Sequence, residues 1–325
     1  MKLTLEKAKD IMKQNNGNLV INDPNITELP ENLIVDGELE AESTLIEKLP
    51  ENFKVKKSIS FAHSRLSELP DNLTVNGDFS IDKTRISKLP KNLTVNEDLS
   101  ANYTGIKYLP EGLCVKGSIH LDETKLRKLP DNFTAHNSLS ISHTDVSELP
   151  KGLKVMGTLV AEYVRIAELP SDLYVGGNIL LKNSWIERLP DNMVLNGGLD
   201  ISYTEKLTKL PKGLKIKGFL GALGANLVEL PPDIEIGGSI YLQESKIERL
   251  PDNLTVNGKL DISFTSITSL PKGLKVKGSL IMNGLNITKA VLPKDLQVGD
   301  KIIMSEETIE GSSICNRKND FLLER

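Results

Sequence analysis

The sequence predicts a β-rich repeat solenoid of about 14 to 15 short coils, with a parallel sheet along one side and a capping helix at the N-terminal end. Three observations predict it. The dipeptide Leu-Pro recurs every twenty residues from Leu29-Pro30 to Leu189-Pro190. It returns at Leu210, Leu230, Leu250, Leu270 and Leu292, so fourteen of the sixteen prolines sit in these pairs. Between pairs the apolar residues alternate, as at Leu73, Val75, Phe79 and Ile81, and alternation means extended chain with one side buried. Two places after each of these prolines stands Asn, Gly or Asp, from Asn32 and Gly112 to Asp172 and Asp295, residue types that tolerate positive φ.

Taken in chain order, Thr4 to Gln14 set Leu5, Ala8, Ile11 and Met12 on one helical face, and Asn15-Asn16-Gly17 stop the helix. Residues 1–16 are therefore expected to cap the solenoid, as terminal coils must. Residues 17–309 carry the coils. Each holds a short strand near the Leu73–Val75 position, a bend at the Gly77 position and a second strand near Phe79–Ile81. A hydroxyl column, Thr44, Ser64, Thr84, Thr104, Thr124, Thr144, Ser184, Thr204, Ser245 and Thr265, is expected to bond buried backbone groups. The coil before Leu210 has one extra residue and that before Leu292 has two, with a bulge expected at Asn283–Asn286. Residues 310–325 read as a C-terminal cap or flexible tail, with Phe321, Leu322 and Leu323 available for docking.

The segment Phe79-x-Ile81-x-x-Thr84-x-Ile86-x-x-Leu89-Pro90 resembles the leucine-rich repeat, with Thr where Asn is usual. The twenty-residue length and the Leu-Pro signature look most like the short bacterial repeats of effectors from enteric pathogens and of related phage or prophage proteins. The resemblance implies a right-handed superhelix whose concave parallel sheet carries the ligand. It also implies a protein that blocks or redirects a host-cell target. The Thr-for-Asn exchange and the strand-like Leu73-x-Val75 segment keep a right-handed parallel β-helix as the alternative fold. Some relatives carry a ubiquitin-ligase domain with a catalytic cysteine, but here the repeats nearly fill the chain, and Cys315 has no scaffold to activate it.

Composition narrows the function classes. A net charge of −4 gives no overall drive toward nucleic acid or anionic membrane. Cys114 and Cys315 form neither a disulfide framework nor a metal spacing. The N-terminal residues lack the apolar core of a secretory signal, and no apolar run reaches the ~20 residues of a membrane span. A cytosolic location is expected, with delivery into a host cell added by the resemblance. No cofactor or metal is expected. His63 and His143 stand four coils apart, about 19 Å at the usual strand spacing, and His120 with Asp122 reads as a surface pair.

The expected role is non-enzymatic binding of a protein partner with a basic patch. On the outward strand columns the early coils offer Glu38, Glu40, Glu42, Asp78, Asp82 and Asp98, with no basic column beside them. Later coils offer Tyr241 and other apolar residues. The next column outward holds Tyr103, His143, Tyr163, Tyr203 and Phe264, with Trp185 two residues beyond Asn183. Tyr163, Trp185 and Tyr203 are expected to cluster over successive coils and to act as binding hot spots. Two rivals compete: an acidic mimic of nucleic acid, using the same carboxylates against a DNA- or RNA-handling protein, and a carbohydrate receptor using the aromatic cluster. Lys54, Lys56, Lys154, Lys215 and Lys275 flank the first strand without interleaved aromatics, so direct nucleic-acid binding is disfavoured.

Overall fold

Each coil turns on the residue two places after its proline. Where that residue is Asn or Gly the backbone is left-handed, with φ of 56° at Asn32, 57° at Asn132 and 66° at Gly273. Asp172, Asp233 and Asp295 are the exceptions. In those coils the next residue's N–H closes a tighter turn on the proline carbonyl, Leu173 on Pro170 and Ile234 on Pro231, both at 3.2 Å. Asn and Gly tolerate the left-handed well, and the chain uses it where they stand.

The computed structural model describes residues 1–50, 52–288, 291–305 and 308–310. Cys315, Phe321, Leu322 and Leu323 lie outside them. The chain divides into two units, Met1–Val160 and Ala161–Arg325.

The first unit opens with a helix, Leu5–Gln14, capped by the Thr4 hydroxyl, which accepts from the Lys7 N–H at 3.2 Å. Of the expected apolar face only Ala8 is fully buried, and Leu5 is 39% exposed. Behind the helix, Leu19–Val20 begins a parallel sheet. The next rungs are Leu39–Glu40, Ile59–Ser60 and Phe79–Ser80, followed by Leu99–Ser100, Ile119–His120, Leu139–Ser140 and Leu159–Val160. Register is uniform, with Leu19 opposite Leu39 and Leu139 opposite Leu159. The second unit repeats the plan from Ile179–Leu180 to Leu280–Ile281. Lys301–Ile303 follows, and its edge pairs antiparallel with Thr308–Glu310. Shorter parallel ladders, such as Thr74–Val75 with Thr94–Val95, lie on the Leu-Pro side.

The inward columns fill the core. Leu73, Val75, Phe79, Ile81, Ile86 and Leu89 are all buried, and each fully buried Leu or Ile contributes about 1.5–3 kcal/mol. The bend column explains its glycines by close approach: a Cβ on Gly77 would lie 2.8 Å from the Ser58 nitrogen of the preceding coil. Most of the hydroxyl column bonds within its own coil. Thr44, Thr84 and Thr124 donate at 2.8 Å to the carbonyls of Ala41, Ile81 and Leu121, three residues back.

The first insertion falls between the buried residues Ile186 and Leu207, and the second follows the buried Ile287. Thr204 keeps its column, as does Leu207, opposite Ile186, so the single extra residue bulges at Glu205–Lys206. Asn283–Asn286, the stretch expected to bulge, keeps register instead. Ile287 is buried like Ile267, one coil back, and the two extra residues enter between Ile287 and Leu292.

Candidate partner-binding surface

In each unit the outward face of the main sheet is flanked by two columns whose N–H groups point back toward the preceding coil, beyond the reach of the backbone ladder. Short side chains satisfy them. In the first unit Asp78 accepts from the Asp98 N–H at 3.0 Å, and Asp98 accepts from the Ser118 N–H at 2.6 Å. At the other strand end Asp82 accepts from the Asn102 N–H at 2.6 Å and from the Ser100 hydroxyl at 2.8 Å. Asp122 does the same for Ser142 and Ser140, so the carboxylate paired with His120 in sequence serves the ladder. An orphaned buried N–H is costly, and these carboxylates hold the coils together while facing outward. Glu38 is half-buried, Glu40 and Glu42 are exposed, and Glu42 accepts from the Ser60 hydroxyl at 2.7 Å. Contrary to the expectation of an unbordered acidic stripe, Arg65, Arg85 and Lys125 stand exposed two columns outward of it.

A second left-handed column runs just beyond the strand and was missed in the sequence. It includes His63, Lys83, Tyr103, Glu123 and His143 in the first unit, with φ from 54° to 60°, and Tyr163, Asn183, Tyr203, Glu244 and Phe264 in the second, with φ from 55° to 57°. For bulky residues this conformation is a steric outlier. Asn183, Gly224 and Gly284 carry a residue-type signal for it, but Lys83, Tyr103, Glu123 and Phe264 share only the backbone state. The ladder holds them there: the N–H of Tyr103 donates to the Asp122 carbonyl and that of Phe264 to the Asn283 carbonyl. Most of the aromatic residues expected to bind are thus presented from strained backbone, with Tyr103 54%, Tyr163 48% and Phe264 62% exposed. Tyr241, on the strand opposite Gly221 and Asp261, is half-buried.

Cations cover several of these rings. The Lys83 ammonium lies 5.1 Å from the Tyr103 ring centre, and Lys182 lies 5.5 Å from that of Tyr203. Trp185 has two, Arg165 at 5.1 Å and Lys206 at 4.9 Å. Lys206 comes from the bulged coil and also pairs with Glu187 at 2.6 Å. That bond, reinforced by the lysine charge, holds the Glu187 carboxyl below the usual glutamate range. His143 approaches Glu123 at 3.8 Å. Tyr163, Trp185 and Tyr203 therefore stand on successive coils of the second unit amid Arg165, Lys182 and Lys206.

Two open hollows lie on the Leu-Pro side, away from the sheet face. One, of about 720 Å³, is lined by Tyr108, Pro110, Lys128, Pro130 and His136 in the first unit. The other, of about 500 Å³, lies among Val194, Pro232 and Asn253 in the second. Among the described residues no three His, Cys, Asp or Glu side chains gather as a metal site, and no helix is long and apolar enough to cross a membrane.

No family model matches this chain, and no curated protein matches its sequence. Solved structures do. The leucine-rich effector protein YopM from Yersinia pestis is 18% identical, covers 91% of this chain and 92% of its own, and superposes with a TM-score of 0.54. YopM from Yersinia enterocolitica is also 18% identical over 92% of this chain and 86% of its own, with a TM-score of 0.44. At this identity the likeness to the first of these speaks for architecture, and with the twenty-residue parallel coils it identifies the fold as a leucine-rich-repeat solenoid.

Proposed function

We propose that the protein is a non-enzymatic scaffold that binds a protein partner on its main-sheet face. In the first unit the partner presents basic side chains to Glu38, Glu40 and Glu42 and to the outward edges of Asp78, Asp82 and Asp98. In the second unit Tyr163, Trp185 and Tyr203 supply aromatic contact. The observation that carries this reading is the exposure of large aromatic side chains on strained, left-handed backbone, Tyr103 in the first unit and Tyr163, Tyr203 and Phe264 in the second. Strain of this kind concentrates at functional sites, and rigid exposed aromatics make good binding anchors. By likeness to the YopM effectors, the setting is action on a target inside another cell.

The carbohydrate rival finds less support, because Arg165 and Lys206 already lie over Trp185 and a sugar stacking there would displace one of them. The nucleic-acid mimic finds less support too, because several of its carboxylates are engaged by the next coil's N–H groups. Affinity capture from host-cell lysate tests the proposal, using the native protein, the triple variant Glu38→Gln, Glu40→Gln, Glu42→Gln, and the triple variant Tyr163→Ala, Trp185→Ala, Tyr203→Ala. A protein retained by the native chain and lost by either folded variant supports the reading. Equal retention by all three overturns this placement of the surface.

A further inference from the structure

Two rings of the left-handed column, Tyr103 and Tyr203, carry a cation from the preceding coil. At Tyr103 the preceding coil supplies Lys83, from the same column, to the ring. At Tyr203 it supplies Lys182, from the column beside. The other side of Tyr203 rests on Gly224, where a Cβ would come within 2.7 Å of Cδ1.

Phe264 repeats the ring and the floor. Its φ is 57°, and a Cβ on Gly284 would lie 2.5 Å from its Cδ1. It does not repeat the cation. Glu244 occupies the place that Lys83 has relative to Tyr103, and Gln243 the place that Lys182 has relative to Tyr203. Gln243 is turned to Asp261, donating to its carboxylate at 2.7 Å. Glu244 is exposed, and Phe264, at 62%, is more exposed than Tyr103 or Tyr203. Among the described residues no lysine or arginine lies over the Phe264 ring.

We propose that Phe264 and Glu244 form a pocket for a lysine or arginine side chain of the protein partner. The proposal rests on the protein-binding reading and names one contact within it. At Tyr103 and Tyr203 the chain fills a ring face with its own cation. Here it keeps the ring, removes the cation and puts a carboxylate one coil away, about 4.8 Å along the stack. A ring face and a carboxylate presented from adjacent coils attract an incoming cation by its charge. Gly284 leaves room for the ring to lie back and open its other face.

The test uses the full chain with its seven phenylalanines replaced by 4-fluorophenylalanine, the Phe264 resonance being assigned with Phe264→Leu. Blocked Gly-Arg-Gly-Arg-Gly and Gly-Glu-Gly-Glu-Gly peptides are titrated at low salt. The arginine peptide should move the Phe264 resonance saturably and the glutamate peptide should not. Glu244→Gln should weaken the response roughly two- to fivefold. Glu244→Lys, which sets a lysine as Lys83 stands to Tyr103, should abolish it. An unmoved resonance, an equal response to both peptides, or an undiminished response in Glu244→Lys overturns the proposal. Replacing Glu38, Glu40 and Glu42 by glutamine should leave this signal intact. A failure at Phe264 is thereby distinguished from a failure of the broader surface.

Discussion

Lys206 lies 4.9 Å from the centre of the Trp185 ring while donating to Glu187 at 2.6 Å. The residue that breaks the twenty-residue period thus joins the sole tryptophan to a carboxylate one coil back. Because the Glu187 carboxyl is held below its ordinary range, chiefly by the hydrogen bond from Lys206 and then by its charge, this pairing has a defined pH dependence. A depressed folded pKa gives a stabilisation that is present above the unfolded glutamate range and is lost as pH falls through the folded value. Emission from Trp185 should be flat from neutral pH down through the ordinary glutamate range and then change in one step below it. Glu187→Gln should remove the step. A step at or above the ordinary range would contradict the pairing.

The hydroxyl column supplies a prediction of opposite signs at equivalent positions. Thr124 is buried and donates to the Leu121 carbonyl, so Thr124→Val should cost about 1 kcal/mol or more in denaturant unfolding. Ser184, also buried, has a hydroxyl with no hydrogen-bond partner among the described residues. Ser184→Ala should therefore be neutral or stabilising by up to about 1 kcal/mol. Equal losses at the two sites would mean that the column acts by volume alone.

The corner column separates backbone strain from side-chain contact. Asn132 has a φ of 57°. Asn132→Gly should change stability by no more than a few tenths of a kcal/mol, whereas Asn132→Ala should cost about 1–2 kcal/mol. The comparison is read from unfolding midpoints at unchanged slope. An alanine as stable as the glycine would show that the corner relaxes out of the left-handed well.

How far these features could be read from sequence depends on whether side-chain type reports backbone state. The corner at Asn132 was legible because Asn, Gly and Asp share a tolerance for positive φ. The left-handed column at Tyr103 and Phe264 was not, since Tyr, Lys, Glu and Phe have no such preference and are held there by the ladder between coils. The strands at Thr74–Val75 and Phe79–Ser80 followed directly from alternation. The double role of Asp98 was hidden because a carboxylate looks the same in sequence whether it faces a partner or an orphaned N–H. A partial clue was present: Asn18, Ser58, Ser138 and Asn178 share its column, and all are short acceptors. Lys206 was recognisable as part of an irregular coil, but its place over Trp185 depends on where the extra residue is absorbed. Two buried neighbours, Ile186 and Leu207, decide that.

Asp98 also allows the two uses of the acidic stripe to be taken apart. Its Oδ1 accepts from the Ser118 N–H at 2.6 Å, a bond that an amide oxygen can make equally well. Asp98→Asn should therefore leave stability within about 0.5 kcal/mol of native, as isosteric surface changes generally do. Asp98→Leu strands the N–H of the buried Ser118 and should cost about 1–3 kcal/mol. If a basic partner reads the stripe by charge, Asp98→Asn should slow its association, and the slowing should shrink as salt rises, because exposed charges are screened over about 8–10 Å at physiological ionic strength. Unfolding curves and association rates at two salt concentrations check both halves. Stability lost in Asp98→Asn would mean that the charge itself supports the ladder. An association rate unchanged by the substitution would place the partner's basic side chains closer to Glu38, Glu40 and Glu42 than to Asp98.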